Sequence, residues 1–379
     1  MRKEVSGMKI LILGGTGILS TDFTIKTLDE GNEVYLLNRG QHKKFFDNRA
    51  KLIIGDLRND SEENLRALLA TQKYDVVVDF LSFEPAQLEK TLNVLKGMFT
   101  QYVVISSSTA YIKKDTDIIS EDKNEVGNRN WSYSYNKALC ERFIRKQNIN
   151  YTIIRPYVTF GESRIPFQMI PDGYHYTLLA RILSDKPVAV LDNGCVCTLT
   201  NTKDFANILY KLLLNPAAYH EAFHITSDSQ QTWGEVYSLL CQILGKKEHL
   251  AEVSLGDVKK YMPEFYNMLK GDKGTTWRFD NSKVLKAIGG YKFQYDLKTG
   301  VQRSVDFYLS NPDMQAIDYR WEGEMDFMLK NVIGARNLKM LESTNPADKD
   351  KDKYSKFMNP LFNSAFHTAW RVKHREELK

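Results

Sequence analysis

The sequence predicts a doubly wound α/β fold: a parallel sheet with helices on both faces, followed by a smaller lobe. Three observations carry this prediction. Short continuous Val/Ile/Leu runs recur through the first half of the chain: "KILIL" (9–13), "EVYLL" (33–37), "KLIIGD" (51–56), "DVVVDF" (75–80) and "YVVIS" (102–106). Unbroken apolar runs of this length mark strands covered on both faces. Helical stretches alternate with them without a break, as βαβ units require. The first run also ends in a glycine-rich turn, "GGTGILS" (14–20), that opens a helix.

In chain order, the helix after that turn reaches about Glu30, where Gly31 stops it. Further helices begin at Ser61, Pro85 and near Ser132, and "YTIIR" (151–155) continues the strands. After Tyr157 the pattern changes. "GESRIPFQMIPDGYHY" (161–176) reads as a long loop into a helix, with further helices expected at about 203–214 and 232–244. The short strand "AFHIT" (222–226) lies between those two helices and is assigned with them to the lobe. The expected division is 8–157 for the first domain and 158–310 mainly for the lobe, with some segments free to return to the first domain. Residues 311–379 form a helical or partly mobile extension. It contains the charged "NPADKDKDKY" (345–354), expected to be mobile. The aromatic "FMNPLFNSAFHTAW" (357–370) is expected to dock on the body or on a neighbouring subunit.

Composition narrows the function. The chain has 379 residues, 42% hydrophobic and 26% charged, the balance of a globular protein. A net charge of +5 is small for this length and argues against nucleic acid as a partner. No apolar run is long enough for a membrane helix, and the start reads as a strand, not a cleaved leader. A cytoplasmic location is expected, and a homodimer is left open. Cys140, Cys195, Cys197 and Cys241 make no C-x-x-C pair and have no nearby histidine, so free thiols and no metal are expected.

A glycine turn between strand and helix lets a pyrophosphate approach the backbone and rest on the helix N-terminus. Gly14, Gly15, Thr16, Gly17, Ile18 and Leu19 are therefore the expected cofactor-binding turn of a Rossmann-type domain. Ser20 stands where the motif wants its last glycine, at some cost in packing room. At the end of the second strand, Asn38 replaces the carboxylate that would hold the ribose of NAD, and Arg39 follows, with Lys43 and Lys44 close behind. Either NAD or NADP is expected, with Arg39 leaning towards the 2′-phosphate of NADP.

"YSYNK" places Tyr133 and Lys137 four apart, on one helical face. "YNMLK", with Tyr266 and Lys270, repeats the spacing among 20 tyrosines. Only the first pair opens a helix following the fifth strand, so the second is read as structural. Together with the glycine turn, "GDLRND", "VVDFLS", "ISSSTAY", "IIRPYVTFG" and "TLTNTKDFA", residues 8 to about 230 resemble the extended short-chain dehydrogenase/reductase superfamily, in its NAD-dependent epimerase/dehydratase group. The resemblance implies that Asp56 and Leu57 contact adenine and that Phe80, Leu81 and Ser82 line the dinucleotide, with Pro156 beside it. It makes Tyr133 the acid/base and Lys137 the holder of the nicotinamide ribose. The serine partner is Ser107, with Ser108 the alternative. The implied activity is a hydride transfer or epimerisation at a hydroxyl of a sugar or nucleotide-sugar. A tyrosine of reference pKa near 10 becomes a usable base only when a cation stabilises its phenolate.

Two departures qualify this. Ser108 and Thr109 stand where 4,6-dehydratases carry an Asp-Glu pair, so dehydration is disfavoured. No arginine precedes Asp204 in "CVCTLTNTKDFA", so a diphosphate clamp must come from elsewhere, with Arg164 and Arg181 the candidates. More distantly, the chain resembles divergent members that bind RNA, such as the chloroplast stem-loop-binding proteins. The alternative reading is a non-catalytic, cofactor-sensing or RNA-binding protein.

Overall fold

The computed structural model describes residues 7–40, 48–112, 118–191, 194–336, 338–343, 345 and 350–375. Lys43 and Lys44 lie outside them. Seven strands form the central sheet: β1 (Lys9–Leu13), β2 (Glu33–Asn38), β3 (Lys51–Ile54), β4 (Tyr74–Asp79), β5 (Phe99–Ile105), β6 (Tyr151–Pro156) and β7 (Glu221–Ile225). Their spatial order is β7-β6-β5-β4-β1-β2-β3, and every pairing is parallel. The order reverses at β1, which opens a crevice at the carboxyl ends of β1 and β4.

The crossovers in the first half are α1 (Ile18–Asp29), α2 (Glu62–Leu69), α3 (Pro85–Val94) and α4 (Ser132–Ile144). Their starts follow local chemistry. Ser61 Oγ caps α2 by accepting from the Asn64 N–H at 3.1 Å, and Pro85 opens α3 where a missing N–H costs nothing. On one face of the sheet, Ile10, Ile12, Val34, Val76, Val103 and Ile154 pack with Phe23 of α1 and with Phe205, Ile208 and Leu209. On the other, Leu11, Leu13, Val77 and Val104 pack with Leu65, Leu88, Cys140 and Ile144. The strands inside the sheet thus bury both faces, which is why their centres are apolar, whereas the edge strand β3 leaves Leu52 and Ile54 exposed.

β7 is the "AFHIT" segment, read with the lobe within a stretch left free to return in part to the first domain, and it pairs in the central sheet: Ala222, Phe223 and His224 lie opposite Ile153, Ile154 and Arg155 of β6. The helix Thr202–Lys211 likewise lies against α1, on the sheet. The lobe proper has its own core, built from Phe167, Leu178, Ile182, Trp233, Tyr237, Leu240, Val301 and Val305.

The C-terminal extension is docked on the body. Trp321, Met325, Met328 and Leu329 of the helix Tyr319–Val332 pack with Val258, Tyr261, Met262 and Leu269. Of the charged stretch expected to be mobile, residues 346–349 lie outside the described ones. Its end instead begins the helix Asp352–Met358, with Tyr354 and Phe357 buried. Tyr354 Oη donates to Asp326 Oδ2 at 2.7 Å, and Asp326 also receives Arg181 Nη1 (2.8 Å) and Lys186 Nζ (2.5 Å). Glu322 pairs with the same two cations, so the buried cluster is neutral as a whole. Removing one member would strand a charge, at roughly 3–5 kcal/mol. Among the described residues, no helix is long and apolar enough to cross a membrane.

Candidate functional site

The glycine turn between β1 and α1 needs glycine for two separate reasons. Gly14 and Gly15 sit at φ +105° and +78°, and a Cβ on Gly15 would fall 2.7 Å from Leu36 Cδ2. Gly17 has an ordinary φ of −82°, and a Cβ there would meet only Ser20 Oγ, at 3.4 Å. The fold itself therefore requires Gly15, while Gly17 keeps open the space in front of the helix. Ser20 plays a part the sequence reading missed. Its buried Oγ accepts from the Gly17 N–H at 2.9 Å, so it ties down one of the N–H groups at the helix start.

That space is a cavity of about 400 Å³, within the roughly 300–1,000 Å³ of small-molecule sites. Of the residues expected to hold a cofactor, Gly14, Thr16, Gly17, Asn38, Arg39, Asp56, Leu57, Phe80, Leu81 and Ser82 line it. The others do not line it. Gly15 faces Leu36 and Thr24, Leu19 packs into the core, and Ile18 lies in the first turn of α1, off the cavity wall. Pro156 ends β6 opposite Ile225 of β7. Lys137 lies under the cavity wall and does not line it. Ser20, Gly55, Arg58, Phe83, Gln87 and Thr91 line the cavity unforeseen.

The lining suits a polar ligand of mixed charge. Asn38 Oδ1 accepts from the Gly40 N–H at 2.8 Å, but its buried Nδ2 has no partner, an unmet donor at the cavity wall. Asp56 accepts from the N–H groups of Arg58 (2.9 Å) and Asn59 (3.3 Å), and the Arg58 bond foremost holds its carboxyl below the usual range. The β4 end is fixed by Asp79, which is fully buried. Its Oδ1 accepts from the Leu81 and Ser82 N–H groups (2.8 and 3.0 Å), and its Oδ2 from Ser82 Oγ and Tyr102 Oη (both 2.6 Å). The loop 80–83 is thus held rigidly against the cavity.

Beyond Phe83 lies Tyr133. Its ring stands 6.1 Å from that of Phe83 and 4.7 Å from that of Trp131. Its hydroxyl is hydrogen-bonded to Ser107, which lowers its pKa, although burial outweighs this and raises the pKa overall. Ser107 Oγ is 2.9 Å from Thr109 Oγ1, which accepts from Ser134 Oγ at 2.9 Å. Ser108 is corrected as a partner: its Oγ donates to the Arg155 carbonyl at 2.9 Å. Lys137 is buried and donates to the carbonyls of Ser82 and Ile105, both at 2.8 Å. Burial pushes its pKa down to about 8. Its ammonium lies 4.3 Å from the Phe83 ring centre and 5.9 Å from that of Tyr133. Behind it, Glu141 binds Arg155 Nη2 (2.6 Å) and Nε (2.9 Å) and Ser106 Oγ (2.6 Å), pinning α4 to β5 and β6.

Tyr133 also faces groups that the sequence did not single out. Arg164 and Asp272 act electrostatically on its hydroxyl in opposite senses. Asp272 and Lys273 come from a π-helical turn, Leu269–Lys273, of a kind often found at functional sites. Lys273 is buried, donates to the Phe167 carbonyl at 3.0 Å, and has its pKa pushed down to about 8 by burial and then by Arg164. Nothing in "LKGDK" signals this, because the turn reaches the site through tertiary packing: Asn128 Nδ2 donates to the Gly271 carbonyl at 2.9 Å. Arg181, offered as a diphosphate clamp, is corrected: it is wholly buried in the Glu322/Asp326 cluster.

Comparisons with known proteins bear on the family and the fold. The chain is 24% identical over 352 residues to a chloroplast stem-loop binding protein of 41 kDa from Arabidopsis thaliana, covering 88% of this chain and 86% of the relative. Among solved structures, an epimerase from Methanothermobacter thermautotrophicus superposes with a TM-score of 0.65 at 15% identity, over 81% of this chain and 93% of that one. The UDP-glucose 4-epimerase of Thermus thermophilus, in complex with NAD, gives 0.62 at 15% identity, over 80% and 99%. At these identities the solved structures speak for the fold alone. The sequence profile of the NAD dependent epimerase/dehydratase family matches residues 10–225, from β1 to the end of β7. The chain belongs to the NAD dependent epimerase/dehydratase family.

Proposed function

We propose that the protein is an NAD- or NADP-dependent oxidoreductase or epimerase that acts on a hydroxyl of a sugar-like substrate. The observation that carries this reading is the Tyr133 hydroxyl, bonded to Ser107 and near the buried Lys137 ammonium, with its ring 6.1 Å from that of Phe83, which lines the cavity. The residues present fit a dinucleotide: Gly17 leaves room at the helix start, Asn38 Nδ2 offers an unmet donor, and Arg39 is an exposed cation at the cavity wall. Arg39 favours a 2′-phosphate there, and hence NADP.

A nicotinamide in this place supplies the acceptor or donor of hydride. Tyr133 takes the proton of the substrate hydroxyl, or returns it, and Ser107 orients the same oxygen. Lys137 stabilises the phenolate while it stays charged. The Phe83 ring lies 4.3 Å from its ammonium, between the lysine and the cavity lining that Phe83 helps to form. Ser108 and Thr109 bring no carboxyl group, which disfavours dehydration. Arg164 is the cation left to meet an anionic part of the substrate.

The likeness to a stem-loop binding protein favours a second reading, RNA binding by a member of this fold without catalysis. One titration separates them. NAD, NADP and their reduced forms are added to the wild type and to Gly17→Val, with a stem-loop RNA as the third ligand. The first reading expects dinucleotide binding that Gly17→Val abolishes while its melting temperature stays near wild type, because the protein itself leaves that space open. Undiminished affinity in the variant overturns it, and tight RNA binding without dinucleotide binding supports the second.

A further inference from the structure

Far from the cavity, three side chains distant in sequence converge on one buried point. Glu264 comes from the turn Pro263–Phe265, Glu324 from the middle of the helix Tyr319–Val332, and His367 from the C-terminal helix Pro360–Lys373. One ligand atom from each lies within 4.8 Å of the others. Glu324 is 0% exposed and His367 1%. Glu264 Oε2, Glu324 Oε2 and both ring nitrogens of His367 have no hydrogen-bond partner. Buried polar atoms are ordinarily satisfied, and four unmet atoms around one point call for a shared partner.

Charge points the same way. Arg320 binds the outer oxygens, Nη2 to Glu264 Oε1 at 2.6 Å and Nε to Glu324 Oε1 at 2.9 Å. One guanidinium faces two carboxyl groups in a dry place, so one more positive charge, a proton or a metal ion, is needed to balance them. A proton shared by the carboxylates would supply that charge but leave both His367 nitrogens unmet.

We infer that Glu264, Glu324 and His367 form a site for a divalent transition-metal ion, and that this ion fastens the C-terminal helix to the body. Two carboxylates and an imidazole suit Zn²⁺, whereas Mg²⁺ and Ca²⁺ prefer oxygen alone. At zinc–ligand distances of about 2.0–2.2 Å, the three side chains must draw together slightly. His367 Nε2 is already 3.7 Å from Glu324 Oε1. Arg320, stacked on Phe357 and Phe366 (ring centres at 5.4 and 4.8 Å), closes the far side. Free thiols elsewhere in the chain belong to separate elements and do not enter the set.

The test is made on the full chain, stripped with EDTA and dialysed against limiting Zn²⁺, with bound metal measured by mass spectrometry and melting by calorimetry. One Zn²⁺ per chain is expected, with a melting temperature that falls on stripping and returns with Zn²⁺ but not with Mg²⁺. His367→Gln should retain almost none and lose the response. Glu264→Gln, at a half-buried position that disturbs packing less, should do the same if the histidine variant fails to fold. A wild type that holds no more Zn²⁺ than Glu264→Gln, or whose melting ignores it, overturns the inference and leaves a shared proton. The readout involves no dinucleotide, so it stands or falls apart from the proposed activity.

Discussion

The chain carries the same tyrosine–lysine spacing twice, and the two pairs differ in almost everything else. Tyr133 and Lys137 lie on a helix whose start sits at the carboxyl edge of the sheet, between the loops after β4 and β5. There the lysine finds two backbone carbonyls, the tyrosine finds a serine, and Phe83, which lines the cavity, lies beside both. Tyr266 begins a short helical turn in the second half, its ring flanked by Lys259 at 4.7 Å and Lys270 at 5.9 Å, with no serine and no carbonyl cage described around it. Spacing gives adjacency on a helical face and nothing more. The cage that makes a tyrosine chemically useful comes from where the helix begins.

The sharpest way to break this comparison is to remove one hydroxyl from each pair. Tyr133→Phe should slow single-turnover hydride transfer by about 10²–10⁴-fold, the usual share of a positioned proton-transfer group. Folding and dinucleotide affinity should barely change. Tyr266→Phe should transfer hydride at nearly the wild-type rate. A large loss in Tyr266→Phe, or none in Tyr133→Phe, would reverse the assignment.

A smaller loss is expected from the serine. Ser107→Ala removes the bond to Tyr133 and a donor to the substrate oxygen, and roughly 10²-fold in rate is reasonable by analogy with a lost oxyanion donor. Ser108→Ala should instead appear as a change in melting temperature, since its Oγ serves the Arg155 carbonyl. Equal rate losses in both would show that the serine has been misassigned.

The lysines give a pH signature. Lys137 is charged below about pH 8 and neutral above it, so alcohol oxidation should stop rising and fall above that value as the phenolate loses its stabilising cation. Lys137→Met should flatten this alkaline limb, and Lys270→Met should leave it in place. Stability carries the same sign of evidence. With folded pKa values near 8 against 10.5 unfolded, Lys137 and Lys273 bind fewer protons folded than unfolded between those limits. Their contribution to stability therefore rises with pH across that window. A denaturant titration at pH 7.5 and 9.5, on the wild type and Lys137→Met, measures it.

The least change is expected at the glycine turn. Ser20→Gly frees the Gly17 N–H now held by Ser20 Oγ, so dinucleotide affinity should stay level or increase slightly. Arg39→Asp should lower the ratio of NADP to NAD affinity. An unchanged ratio would show Arg39 to be merely solvated.

Much of this was legible in the sequence because it is local or periodic. Parallel strands buried on both faces need apolar centres, so β1, β2, β4, β5 and β6 announce themselves, and the apolar run of β3 does so although it lies exposed at the edge. A φ of +105° at Gly14 and a close neighbour at Gly15 favour glycine, so both mark the turn, and helical spacing alone joins Tyr133 to Lys137. Other features needed the folded molecule. β7 stands in sequence between helices and apart from the other strands, and only its register with β6 places it. Ser107 and Ser108 are adjacent and chemically identical, and the backbone decides which one meets Tyr133. Asp272 and Lys273 enter through a π-helical turn, Arg181 is taken up by a cluster formed with a helix far along the chain, and Glu264, Glu324 and His367 share no spacing at all. The sequence records what neighbouring residues impose on one another, by sterics at the turn and by burial along a strand. Contacts between distant segments depend on how whole elements pack, and that packing is set by the sum of many small apolar contacts that no short motif encodes.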